Sequence, residues 1–211
     1  MVVADINEET ARETADTISG EDGIALEAPA DVTVEEDCER TIEAATQAWG
    51  KLDILVNVAG GGFPGTVVEF SLEDWERVVR LNLASVFLMS KYAVLKMRQS
   101  GGGAIVSTSS NAGVDGTARN AAYAAAKGGI IALTKSMARD HVKEGIRVNC
   151  VAPGGVGTPL LRRATPELQE VYQLANIFKR LGEPEEIAEV ILYLASEQAS
   201  FVTGQTITAG R

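Results

Sequence analysis

A chain of 211 residues is long enough for one domain with a sizeable core, and its 45% hydrophobic and 23% charged residues argue against disorder. The formal net charge of −10, with no basic stripe, argues against a nucleic-acid partner, because affinity for a phosphate backbone is built from Lys and Arg. Cys38, Cys150 and His141 have no companions at disulfide or metal-ligand spacing, no apolar run approaches the ~20 residues of a bilayer-spanning helix, and no signal peptide opens the chain, so the expectation is a metal-free protein of a reducing, cytoplasmic setting without a membrane partner.

In chain order, Met1 to Asp5 reads as a buried strand that begins at once, and Asn7 offers an N-cap for a helix through about Ser19. A second short strand near Gly23 to Glu27 leads to Ala30-Asp31-Val32-Thr33. From Val34 the apolar residues Cys38, Ile42, Ala45 and Trp49 recur at spacings of three and four, which is one face of a helix. Leu52 to Asn57 is another apolar strand, running into Val58-Ala59-Gly60-Gly61-Gly62. Ser71 can cap a long helix that reaches about Met97 and carries Asn82 in its apolar half. Gly101 to Gly103 marks the break before a strand from Ala104 to Ser107. A helix from about Ala121 to Glu144 is followed by a strand from Arg147 to Ala152, stopped by Pro153-Gly154. Pro159 to Ile177 is a polar insert, irregular or weakly helical. A helix from about Pro184 to Ser196 and a strand from Gln205 to Thr208 complete the chain.

Strand and helix alternate throughout, and the strands are continuous Val/Ile/Leu runs rather than alternating ones. That pattern predicts a doubly wound parallel sheet in three α/β/α layers, folded as a single domain over residues 1–211. Ligands of such sheets bind beyond the carboxyl ends of the strands. The residues just past those ends are Asp5, Asp31, Asn57 to Gly62, Ser107 to Gly113 and Pro153 to Thr158.

Tyr123 and Lys127 stand four apart at the start of a helix, so they share a face and an ammonium can sit beside a phenol. A phenol with its ordinary pKa of roughly 10 is a poor acid or base near neutrality, and a nearby positive charge favours its ionised form. Ser110, thirteen positions before Tyr123, could hold the oxygen of a carbonyl or alcohol on which the tyrosine acts. Taken alone, a Tyr-x-x-x-Lys pair is more often an ordinary helix-surface pair.

Around that pair, Ala4-Asp5, Asp31-Val32-Thr33, Asn57-Val58-Ala59-Gly60, Leu81-Asn82-Leu83, Ser110, Tyr123-Ala-Ala-Ala-Lys127 and Pro153-Gly154 with Thr158 occur in one order over most of the chain. This ordered set resembles the short-chain dehydrogenase/reductase family. The resemblance implies a Rossmann-like, nicotinamide-dependent oxidoreductase acting on a secondary alcohol or ketone, with Asn82, Ser110, Tyr123 and Lys127 as its catalytic four. Tyr123 would be the general acid or base on the substrate oxygen. Lys127 would lower the pKa of Tyr123 and hold the nicotinamide ribose, Ser110 would fix the substrate oxygen, and Asn82 would keep a water that links Lys127 to solvent. The same resemblance gives Asp5 and Ile6 to the adenosine ribose, Asp31 and Val32 to the adenine, Asn57, Ala59 and Gly60 to the floor beneath the cofactor, and Pro153, Gly154, Val156 and Thr158 to the nicotinamide end. A carboxylate at Asp5 accepts hydrogen bonds from ribose hydroxyls and repels a 2′-phosphate, so NAD is favoured over NADP.

Two departures stand out. Val58 replaces the family's usual second asparagine, a mild variation. The family's opening strand and its Gly-x-x-x-Gly-x-Gly turn, which holds the pyrophosphate at a helix N-terminus, are missing from this sequence. The expectation is therefore an N-terminally shortened domain lacking its first strand and helix, binding NAD weakly or not at all. A non-catalytic remnant acting as a binding or subunit-interaction module is the alternative. Leu181 to Ala188 resembles the bacterial 3-oxoacyl-(acyl-carrier-protein) reductase group, and the segment from Pro159 to Ile177, with Arg162, Arg163, Glu167 and Tyr172, is expected to cover the substrate. The helices from Ser71 and from Ala121 usually pair between subunits in the family, which implies a homotetramer or a dimer.

Overall fold

The computed structural model describes residues 1–211, the side chain of Leu160 excepted. Strand β1 (Val2–Asp5) is followed by helix α1 (Glu8–Gly20), which starts where Asn7 caps it by accepting from the amides of Glu9 and Thr10. Strand β2 (Leu26–Pro29) begins later than the apolar run predicts, because the Gly23 amide turns back to Ile18 O and closes α1 first. Helix α2 (Glu35–Trp49) buries Cys38, Ile42 and Ala45, and Gly50 ends it at φ 75°. Strand β3 (Ile54–Asn57) runs into the glycine-rich loop.

From Leu72 the chain forms one 29-residue rod: α3 (Leu72–Val79), a π turn (Arg80–Ala84) and α4 (Ser85–Ser100). By length and composition this rod could cross a membrane, which corrects the expectation that no such run exists. Its stripe of Val86, Met89, Ala93 and Met97 is packed into the protein core. Strand β4 (Gly103–Thr108) then leads to a five-residue helix, α5 (Asn111–Asp115), and to α6 (Ala121–His141). Helix α6 stops three residues early, in a tighter turn at Val142–Glu144. Strand β5 (Ile146–Pro153) is followed by α7 (Pro159–Arg162) and α8 (Pro166–Ala175), so the insert is more helical than its composition suggests. Helix α9 (Pro184–Ala195) and strand β6 (Thr206–Ala209) close the fold.

All strand pairs are parallel, and the architecture is Rossmann-like. The expected continuous sheet is in two pieces, β1-β2 and β3-β4-β5-β6. No described strand pairs with both β1 and β3, so each keeps a free edge. Val2 of β1 and Leu55 of β3 nevertheless pack on one core cluster with Cys38, Ile42 and Met97, which seats both pieces on the α2/α4 layer. On the opposite face of β3, Ile54 and Val56 are 46% and 40% exposed. Strand β4 shows how the layers arise from a period of two: Ile105 faces the α2/α4/α6 cluster, whereas its neighbour Val106 faces Leu194 of α9. Both cysteines are buried and unpaired.

Ile105 is fully enclosed between strands and helices. Ile105→Ala is expected to lower the unfolding free energy by about 2–5 kcal/mol. Urea unfolding should show this as an earlier midpoint with an unchanged m value.

Candidate active site

The parallel register sets Asn57 of β3 beside Ser107 of β4 and Ser107 beside Cys150 of β5. Val58, Thr108 and Val151, the residues that follow them, therefore stand level with one another at the carboxyl end of the sheet. The next residues of the three chains meet on one rim, where α6 delivers Tyr123 and Lys127.

Lys127 lies at the centre. Its side chain is 3% exposed, and Nζ donates to Thr108 O at 2.8 Å while sitting 5.6 Å from the centroid of the Tyr123 ring. Burial lowers its pKa to about 8, partly opposed by Cys150. The segment from Ser109 into α5 clamps the same turn: Ser109 Oγ donates to Lys127 O at 2.8 Å, and a Cβ at Gly113 would lie 2.5 Å from the Lys127 carbonyl carbon. Only glycine lets α5 and α6 come this close.

The π turn carries Asn82 into the same space. Fully buried, Asn82 donates through Nδ2 to Val78 O (2.9 Å) and Gly61 O (2.6 Å) and accepts from the Gly61 amide at Oδ1 (3.1 Å). It thereby pairs both backbone groups of Gly61 and pins the glycine loop over α6. A Cβ at Gly60 would fall 2.6 Å from Asn82 Oδ1 and 3.2 Å from Lys127 Nζ, and one at Gly62 would touch the Tyr123 ring at 3.4 Å. Asn82, Gly60, Tyr123 and Lys127 are thus one packed group.

Ser110 is extended and caps α5, accepting from the Ala112 amide at 3.2 Å. The pKa of Tyr123 is raised by burial, and the Ser110 hydroxyl beside it acts the other way. This corrects the expectation that Lys127 brings the phenol down. The ammonium stands over the ring face and is bound to Thr108 O, so desolvation of the phenol dominates.

The remaining predicted positions divide. Asp5 lies at the end of β1, where one carboxylate oxygen accepts from the Asn7 amide at 2.8 Å, and Ile6 beside it is 74% exposed. Asp31 turns onto Thr33, accepting from its amide (2.8 Å) and hydroxyl (2.7 Å), while Val32 packs against the core beneath α2. Asn57 points inward, donating to Ser107 Oγ at 3.1 Å, so its side chain ties β3 to β4 rather than facing the rim. Ala59 and Gly60 are exposed on the rim; Pro153 is the buried last residue of β5, and Gly154, Val156 and Thr158, each half-buried, follow it. Sequence reasoning placed Thr108, Ser109 and Gly113 on the rim without a role; Thr108 acts through its carbonyl, Ser109 through its hydroxyl and Gly113 through the lack of a side chain, and none of these contacts is announced by a side-chain pattern.

The family model described as enoyl-(acyl carrier protein) reductase matches residues 1–210. An uncharacterized oxidoreductase of Thermotoga maritima is 39% identical over 213 residues, spanning 98% of this chain and 84% of that protein. Cyclohexanol dehydrogenase of an Acinetobacter species is 42% identical over 205 residues, spanning 97% of this chain and 80% of that one. Among solved structures, a 7α-hydroxysteroid dehydrogenase complexed with NADH and 7-oxo glycochenodeoxycholic acid superposes with a TM-score of 0.93 at 36% identity, covering 99% of this chain and 82% of its own. The chain belongs to the short-chain dehydrogenase/reductase family and is an oxidoreductase.

The lowered pKa of Lys127 has a signed consequence. Above a folded-state value of about 8 and below the ordinary 10.5, the unfolded chain holds one more proton than the folded one, so this group adds stability as pH rises through that window. Relative to Lys127→Met, wild type is expected to gain on the order of 3 kcal/mol between those limits at most. Denaturation of both proteins at several pH values measures the difference.

Proposed function

We propose that this chain interconverts a secondary alcohol and its ketone with NAD, using Tyr123 as general acid/base. The observation that carries the reading is the packed group of Asn82, Ser110, Tyr123 and Lys127 on the rim beyond parallel strands. The names of the relatives support an alcohol-type substrate, one acting on cyclohexanol and the other bound to a steroid with NADH.

The residues present fit two parts of a dinucleotide. At the nicotinamide end, the Gly60 surface lies bare of side chain beside Lys127 and Asn82, and the Thr108 hydroxyl and Asn111 Oδ1 are buried without partners. At the adenosine end, Asp5 keeps one oxygen free of protein donors among the described residues. No Gly-x-x-x-Gly-x-Gly turn for the pyrophosphate lies among the described residues. The nicotinamide, when bound, supplies the hydride acceptor or donor. Lys127 would hold the ribose and keep a positive charge beside the site below pH about 8. Ser110 would hold the substrate oxygen at the phenol. Tyr123 would give or take the proton at that oxygen; burial raises its pKa, which favours the protonated, donating form. Asn82 holds the loop that shapes this pocket through Gly61. A homo-oligomer, as a tetramer or dimer through the α4 and α6 surfaces, belongs to the same proposal.

Tyr123→Phe keeps the ring and deletes the acid, so kcat should fall by about 10²–10⁴-fold. The assay is NAD reduction against a panel of secondary alcohols, with circular dichroism confirming the fold; equal rates in both proteins would overturn the mechanism. Asp5→Asn removes the charge that opposes a 2′-phosphate. The ratio of kcat/KM for NADP to that for NAD should rise about tenfold or more, and an unchanged ratio would remove Asp5 from cofactor choice.

A further inference from the structure

The segment from Pro159 to Lys179 lies on the surface, and helix α8 buries none of its described side chains. Leu168, Val171, Leu174, Ile177 and Phe178 are between 46% and 70% exposed. Asn176 is the exception. It is 3% exposed, just past the end of α8, and its amide meets Gly155, in the loop beyond β5, and Arg180. Oδ1 accepts from the Gly155 amide at 3.0 Å, and Nδ2 donates to Gly155 O at 2.9 Å and to Arg180 O at 2.6 Å. Both donors and one acceptor position of the amide are in use.

The surrounding backbone is shaped to this contact. A Cβ at Gly154 would lie 2.2 Å from Asn176 Oδ1, so only glycine admits the amide there. The turn that follows is held by Lys179 at φ 55°, a left-handed conformation unusual for a lysine. Lys179 Nζ donates to Leu174 O at 2.8 Å, satisfying a carbonyl in the last turn of α8. Gly155 also bonds to Gly182, and Ile177 donates to Gly210 O, so the covering segment and the loop beyond β5 are joined at one point. An asparagine that pairs both the N–H and the C=O of one residue acts as an added rung of backbone ladder, supplied by a side chain.

We propose that Asn176 is a positioning residue that stitches the covering helix α8 to the Gly154–Gly155 loop and so sets the depth at which that loop presents itself to the site. The catalytic half of the inference rests on the proposed function above. Substrate-covering and nicotinamide-facing walls would then move as one body, and loosening the stitch would misplace the reacting carbon without touching Tyr123 or Lys127.

The test compares Asn176→Asp and Asn176→Leu, both near-isosteric, with Ile105→Val, a core variant remote from the stitch. Amide hydrogen exchange is read by mass spectrometry alongside steady-state kinetics. Asp keeps the acceptor for the Gly155 amide but sets an oxygen against Gly155 O and Arg180 O; Leu removes every bond. Exchange in residues 153–158 and 176–182 is expected to quicken by tenfold or more in both Asn176 variants, with residues 107–127 unchanged. Ile105→Val should not single out these segments. Where wild type turns over an alcohol, kcat should fall about tenfold in both Asn176 variants with the pH profile kept. Unchanged exchange in 153–158, or quickened exchange with unchanged kcat, overturns the proposal. If wild type turns over no alcohol, the functional reading fails separately, and exchange alone decides whether the stitch exists.

Discussion

The structure depends on the burial of one ammonium. Moving a charged amine out of water is costly, and Lys127 is tolerated because Thr108 supplies a carbonyl at 2.8 Å and the Tyr123 ring presents its negative face. Those two partners need β4 to end at Thr108, α5 to lie against α6 without side-chain interference at Gly113, and the glycine loop after β3 to pass above without a Cβ at Gly60. The proposed proton chemistry and the close packing therefore draw on the same arrangement. Any change that lets water reach Nζ would raise its pKa toward the ordinary lysine value and weaken the link between charge and site.

Parallel strands make this arrangement possible at low cost in sequence. Strands β3, β4 and β5 align through parallel backbone ladders built largely from apolar residues. Three loops of different composition then arrive at one height without any residue being chosen for that purpose. Side-chain amides complete the job where ladders stop. Asn57 links β3 to β4 from inside, Asn82 pairs both groups of Gly61, and Asn176 pairs both groups of Gly155. In each of the last two cases an asparagine meets glycine backbone that has no side chain to push it away.

Much of this was legible in the chain itself. The alternation of apolar strands with capped helices gave the parallel three-layer fold, and Asn7 and Ser71 mark helix starts because their side chains accept from the first free amides. The spacing of Tyr123 and Lys127 predicted a shared face, which the helix confirms. Three features were not legible. The π turn at Arg80–Ala84 leaves the apolar periodicity almost intact, so nothing in the pattern separates it from an ordinary helix. The raised pKa of Tyr123 reflects how deeply the ring sits, and burial of one residue is a property of its neighbours. Asn57 and Asp31 look like rim residues by position, but the adjoining strand offers Ser107 to Asn57, and Asp31 is taken up by Thr33 in its own turn.

The π turn sets a limit of another kind. One extra residue is wound into the rod between α3 and α4, and each residue of an α-helix turns the chain by about 100°. The wide turn takes up that residue, so α3 and α4 keep the register of one continuous helix on either side of it. Deleting a single residue there would let the rod relax into uninterrupted α-helix and leave Val86, Met89, Ala93 and Met97 facing the core, while the bulge that carries Asn82 into the site would be lost. A one-residue change of length at this point therefore acts on the site and spares the core.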